Sequence, residues 1–70
     1  MANKIGRNKM TLKDYRKAQR LTQTEVAERL GVTRQYIGAL EKGERKPSLK
    51  LLKEIAKLYG VKISKLIDLI

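Results

Sequence analysis

Seventy residues carrying 17 Lys and Arg against 7 Asp and Glu have a formal net charge of +10 with 41% apolar residues, the profile of one small, strongly cationic domain. The chain has no Cys and no His, which excludes a disulfide, a thiolate or imidazole zinc site, a cysteine nucleophile and a serine–histidine pairing. No metal site, cofactor or enzymatic activity is therefore expected, and a core worth about 3 to 5 kcal/mol at this length must lean on well-formed helices or a second subunit.

Residues 1–10 form the first segment, expected to be a flexible basic arm. The seven basic side chains of residues 1–20 face one acid, Asp14, and the stretch to Lys9 shows no apolar period, with Ile5 its only candidate anchor. No apolar stretch approaches the about 18 residues of a membrane span, and the N-terminus lacks the apolar block of a secretory signal. A cytoplasmic protein with no membrane partner is expected.

From Thr11 onward apolar residues recur at helical spacing and nothing alternates with period two, so residues 11–70 are expected to form an all-α, compact five-helix bundle. Thr11 with Asp14 starts a first helix running to about Arg20, with Leu12, Tyr15 and Ala18 facing inward. Thr22 and Glu25 are spaced as a capping box, in which the hydroxyl and the carboxylate each satisfy a backbone N–H left free at a helix start. Val26, Ala27 and Leu30 line the second helix, which Gly31 stops. Thr33 caps a third helix over Arg34 to Lys42, ended by Gly43. Pro47 disfavours helix at Lys46, and Ser48 then caps a fourth helix with Leu51, Leu52, Ile55, Ala56, Leu58 and Tyr59 on its apolar face, closed by Gly60. Ile63, Leu66, Ile67 and Ile70 repeat at i, i+3, i+4, i+7 in a last helix over residues 62–70, with Leu69 off that stripe.

Two helices crossing steeply through a very short turn need a tiny side chain where they meet, a glycine where the chain reverses and branched residues in the wedge. Ala27, Gly31, Val26, Val32, Ile37 and Leu40 meet those requirements. On these residues the run TQTEVAERLGVTRQYIGALEKGERKPSLKLLKEIAKLYGV resembles the helix-turn-helix of the Cro-like phage-repressor family, the XRE-type regulators, and the resemblance spans roughly Thr11 to Leu69.

The resemblance implies that the third helix enters the DNA major groove. With Ile37 and Leu40 inward, Gln35, Gly38, Ala39 and Lys42 point away from the core, with Arg34 and Tyr36 on the flanks. Arg34 and Gln35 are the expected base readers, because Arg binds guanine O6 and N7 bidentately and Gln suits adenine N6 and N7. Outside such a motif the same pair reads as a solvated helix start. Ala39 matches a family position that touches bases, where its methyl can only pack. Gly38 in mid-helix costs about 1 kcal/mol relative to Ala, which marks either a very close approach to DNA or a tolerant site.

Gln23, at the positive end of the second helix, matches the family glutamine that clamps a phosphate. Arg45 and Lys46 match loop positions that meet phosphates, although a solvated basic loop reads the same way. Thr33 and Lys42, at the two ends of the third helix, join them as expected phosphate contacts. Tyr36 is read as a phosphate donor or a core-edge residue, with no catalytic set to make it a nucleophile. The family also pairs an arginine of the first helix with a glutamate ending the third; Arg16 and Glu41 match, and the resemblance implies a structural pair. Lys4, Arg7 and Lys9 are free to follow the backbone or enter the minor groove.

Leu66, Ile67, Leu69 and Ile70 are too many apolar side chains for so small an interior. Some are expected to stay exposed and form a twofold dimer contact that sets two recognition helices one DNA turn apart; the alternative is capping of the monomer core by Ile63, Leu66 and Ile67. The expected function is sequence-specific binding of double-stranded DNA by a homodimeric repressor on a pseudo-palindromic operator. The alternative is a protein-interaction module of antitoxin or coactivator type, in which the cationic arm meets an acidic partner.

Overall fold

A hydroxyl writes the start of four of the helices. The Oγ atoms of Thr11, Thr22, Thr33 and Ser48 accept from the backbone N–H of Asp14 (3.1 Å), Glu25 (3.0 Å), Tyr36 (3.0 Å) and Leu51 (3.1 Å), each satisfying a donor the helix itself leaves free. They open α1 (Leu12–Ala18), α2 (Gln23–Leu30), α3 (Arg34–Lys42) and α4 (Leu49–Tyr59); α5 (Ile63–Ile67) follows Lys62 with no side-chain cap. At α1 and α2 the box is complete, with the Asp14 and Glu25 carboxylates accepting from the N–H of Thr11 at 2.9 Å and Thr22 at 2.8 Å. Those backbone bonds, then the threonine hydroxyls, hold both carboxyls below their ordinary pKa values. This computed structural model describes residues 10–69; the expected arm at Lys4, Ile5, Arg7 and Lys9, and Ile70, lie outside the described residues.

The helix ends also share one device. The N–H of Val32, Glu44 and Val61 reach back to the carbonyls of Ala27 (3.0 Å), Ala39 (2.9 Å) and Ala56 (3.0 Å), across a left-handed residue that ties off otherwise unpaired carbonyls. Glycine supplies that residue at 31, 43 and 60, but α1 makes the same turn on Arg20 with φ 58°, closing Leu21 N–H to Arg16 O at 3.3 Å. The first helix therefore ends at Ala18, short of the expected Arg20, and Ala18 is exposed rather than inward-facing.

Leu12, Val26, Ala27, Ile37, Leu40, Leu52, Ile55, Ala56, Tyr59 and Leu66 make a single core drawn from all five helices. Its packing is densest between α2 and α3 and between α4 and α5, with α1 bracing α3 and α4. Gln19 donates its side-chain amide to the Tyr59 carbonyl at 3.1 Å, pinning the end of α1 to the end of α4. No helix among the described residues is long and apolar enough to cross a membrane.

The C-terminal stripe comes out differently from the helical spacing. Leu66 is fully buried in its own chain, so it is removed from the expected dimer contact. Ile67, placed on the stripe by its period, is 48% exposed, while Leu69, placed off it, packs against the core. For Leu69 the reason is that α5 stops at Ile67: the Leu69 N–H turns back to Leu66 O at 2.9 Å, and helical periodicity no longer governs the residues beyond.

Candidate nucleic-acid interface

Three residues, Gly31, Val32 and Thr33, join α2 to α3. Gly31 at φ 73° reverses the chain where a Cβ would be strained, and Val32 packs into the wedge between the helices. Ile37 and Leu40 bury one side of α3, at 2% and 5% exposure. The opposite side is open: Thr33, Arg34, Gln35 and Lys42 are exposed, and Gly38 and Ala39 are half-buried. Arg45 and Lys46, in the loop that follows, are exposed as well.

A polar chain lies under the C-terminal end of α3. Arg16 is the buried charged residue of the core region, and its Nε donates to Glu41 Oε2 at 2.6 Å and its Nη2 to Glu41 Oε1 at 3.3 Å. Its Nη1 donates to the Leu21 carbonyl at 2.8 Å, so one guanidinium ties together α1, the α1–α2 loop and α3. Both side chains are almost fully shielded, at 8% and 6% exposure, and the hydrogen bonds to Glu41 raise the Arg16 pKa further above its ordinary range. No buried side-chain polar atom among the described residues lacks a partner.

The chain then runs out to the surface. Gln23 Nε2 donates to Glu41 Oε1 at 3.0 Å, which orients its amide with the oxygen outward, and that oxygen accepts from Arg34 Nη1 at 3.4 Å. The two side chains assigned separately to phosphate and to base are thus in contact before any ligand is present. Sequence spacing held the Arg16–Glu41 pair only by resemblance, and the Gln23 link between that pair and Arg34 was missed. It joins residues 18 and 11 positions apart, beyond the reach of any local rule.

Gly38 lies beside the same glutamine: a Cβ there would meet Gln23 Nε2 at 3.8 Å, an ordinary contact. Thr33 spends its oxygen as the α3 cap but keeps a hydroxyl hydrogen to donate. Tyr36 is half-buried against the core, and the Arg45 guanidinium sits 5.5 Å from its ring centroid, within range of a cation–π contact. Thr33, Gln35, Tyr36, Ala39, Glu44 and Arg45 enclose an open recess of about 480 Å³ on the outer side of α3. Glu44 in that recess was read from sequence only as part of a polar loop. Among the described residues no three Asp or Glu side chains gather as metal ligands.

A short helix buried on one side, wedged against its predecessor through a three-residue turn and lined outside with Arg, Gln and Lys, defines a helix-turn-helix. The chain belongs to the helix-turn-helix family of XRE-type transcriptional regulators, whose match runs over residues 12–66. It is a class of regulators and not of enzymes. An uncharacterized HTH-type transcriptional regulator of Methanocaldococcus jannaschii is 56% identical over 55 residues, covering 79% of this chain and 83% of that one. A second, from Archaeoglobus fulgidus, is 46% identical over 52 residues, 74% of this chain and 73% of its own. An immunity repressor protein of Bacillus phage phi105 is 32% identical over 56 residues, which cover 80% of this chain and 39% of the phage protein. No solved structure matches the chain at a significant level.

Proposed function

We propose that this chain binds double-stranded DNA in a sequence-specific manner as a homodimeric repressor, with α3 in the major groove of each half of a pseudo-palindromic operator. The observation that carries the reading is the hydrogen-bonded chain Arg16–Glu41–Gln23–Arg34, which links the buried pair to an exposed arginine at the start of α3. Arg34 and Gln35 read base edges, each worth about 1 to 3 kcal/mol of discrimination. Ala39 packs on a thymine methyl and Gly38 admits the backbone of α3 close to the duplex. Gln23, Thr33, Tyr36, Lys42, Arg45 and Lys46 grip phosphates, with the free N–H groups at the start of α2 assisting Gln23. Repression is supported by the relatives, one of which is named an immunity repressor.

The second subunit meets the first at Ile67 and Leu69, the apolar side chains left at the surface or half-buried near the C-terminal end. A twofold axis there sets two α3 helices about 34 to 36 Å apart. Selection of bound sites from random duplexes at physiological salt tests the whole arrangement, because it returns half-site sequence, symmetry and spacing together. Two inverted half-sites are expected, with binding that weakens about 10³ to 10⁵-fold from 50 to 200 mM salt for six to ten neutralised phosphates. A single or directly repeated half-site removes the twofold dimer. Sequence-blind binding that survives replacement of Arg34 and Gln35, or a flat salt response, removes the regulator reading in favour of a protein-interaction module.

A further inference from the structure

The recess on the outer side of α3 contains one acid, and its chemistry is at odds with a surface that otherwise grips phosphate. Glu44 is exposed, and among the described residues its carboxylate takes no hydrogen bond and no ion pair. The neighbouring Arg45 is turned to the Tyr36 ring. Asp14 and Glu25 close capping boxes and Glu41 holds Arg16, whereas Glu28, Glu54 and Asp68, exposed like Glu44, do not line this recess. Glu44 also sits just past the C-terminal end of α3, where the helix dipole is negative and a carboxylate is disfavoured. Its backbone is nonetheless fixed there, since its N–H closes the end of α3 on the Ala39 carbonyl at 2.9 Å. The result is an unpaired acceptor, anchored beside Ala39 and Gln35 in the same recess.

An ionised carboxylate has no proton to give. Against the major-groove edge of a base pair it is repelled by the O6 and N7 of guanine and the O4 of thymine, and it meets an acceptor, N7, beside the amino group of adenine. Of the four bases, cytosine alone offers a donor, N4–H₂, with no acceptor on its own major-groove edge, the nearest being the O6 of its paired guanine on the other strand. We infer that Glu44 is a specificity determinant that accepts from the N4 amino group of a cytosine and rejects guanine and thymine at one base pair of each half-site. That pair is separate from the pair Gln35 reads, because Gln35 lies one helical turn before Ala39 while Glu44 lies beyond it. The inference rests on the proposal that α3 lies in the major groove, and it assigns a base contact to a residue outside the helix itself.

The experiment is site selection from random duplexes with the full chain, run in parallel for the parent, Glu44→Ala, Glu44→Gln and Gln35→Ala at one salt concentration. Titrations then follow of the four base-pair variants at each affected position. Because the Glu44 side chain has no partner among the described residues and its charge is disfavoured at the end of α3, the Glu44 variants are expected to fold and to melt at or slightly above the parent. For the parent, one position per half-site prefers cytosine over guanine or thymine by about 5 to 150-fold, the equivalent of one good base contact. Glu44→Ala reduces that preference to within about twofold and strengthens binding to unrelated duplex, as expected when one repulsive charge leaves a phosphate-lined surface. Glu44→Gln keeps cytosine but now accepts guanine and thymine, since its amide can also donate. Gln35→Ala relaxes a different position. A Glu44→Ala variant that binds every duplex more tightly by one common factor, with the selected sequence unchanged, overturns the role of Glu44 while leaving the regulator reading intact. A parent that selects no sequence overturns both.

Discussion

Removing Glu41 separates the contribution of the buried polar chain to folding from its contribution to recognition. Glu41→Ala leaves the Arg16 guanidinium, 8% exposed as a side chain, with only the Leu21 carbonyl as partner. Stripping one member of a buried pair costs about 3 to 5 kcal/mol, because the remaining charge is neither solvated nor neutralised. At about 0.05 to 0.15 kcal/mol per residue a chain of 70 residues holds about 3.5 to 10 kcal/mol in total, so the variant loses more than about a quarter of its stability. In a domain this size that lowers Tm by about 12 to 40 °C, read by far-ultraviolet circular dichroism. The double variant Arg16→Met with Glu41→Leu removes both charges together, and a packed apolar replacement of a buried pair is commonly neutral or stabilising. Its melting temperature is expected to return near the parent's. Its DNA binding is not, because Gln23 has lost the acceptor that orients it and Arg34 has lost the oriented amide. Specific affinity falls while binding to unrelated duplex, set by net charge, is retained. A Glu41→Ala melt within about 4 °C of the parent, equivalent to less than about 1 kcal/mol, refutes the energetic argument. A double variant with parental specific affinity refutes the orienting chain.

Arg20→Gly is expected to stabilise the domain by about 0.5 to 1 kcal/mol, the left-handed penalty of about 1 to 2 kcal/mol less the glycine's greater unfolded-state entropy; a fall in Tm contradicts it. Gly38→Ala fits beside Gln23 at 3.8 Å and gains about 0.5 to 1 kcal/mol of helix stability, yet weakens DNA binding in titrations if the backbone of α3 approaches the duplex closely. On acidification, the Asp14 and Glu25 carboxyls sit below their ordinary values of 3.8 and 4.5 in the folded chain. Their stabilisation is present above those values and is lost as pH falls through the lower folded ones; Thr11→Ala with Thr22→Ala, which keeps the backbone donors, reduces that limb of the stability profile, and Asp14→Asn with Glu25→Gln abolishes it. Tyr59, raised first by burial and then by the Glu41 charge, with Arg16 partly offsetting, ionises at about 12 rather than 10.0. Stability therefore declines as pH rises from 10.0 toward about 12, and Tyr59→Phe removes that decline in melts across the alkaline range.

Local rules reached the helices whose signals lie within a turn of their ends. Thr22 with Glu25, Thr33 before Arg34, Ser48 before Leu49, and the glycines at 31, 43 and 60 predict α2, α3 and α4 with the bounds observed. They also predict which side of α3 is buried, since Ile37 and Leu40 are one helical step apart on a single face. The same rules failed at the two ends of the bundle. Arg20 takes the conformation that glycine takes elsewhere, so α1 carries no stop signal where it ends. In a five-residue α5 the chain leaves helical geometry after Ile67, so the period does not place Leu69, and Ile67 is left exposed within the helix.

The site divides along the same line. That Gln35 and Lys42 face outward, with Arg34 on the flank, follows from the spacing of α3 alone. Burial of Arg16 does not, because a charge is admitted to an interior only where a distant carboxylate and a carbonyl meet all of its donors. Here they come from Glu41 and Leu21, brought together by the crossing of α1 over α3. Gln23 and Glu44 owe their places to the same crossing and to the turn that ends α3. Cap, stop and period are decided by neighbours one turn away and can be read along the chain; which polar groups share a buried contact or a surface recess is decided only when the helices pack.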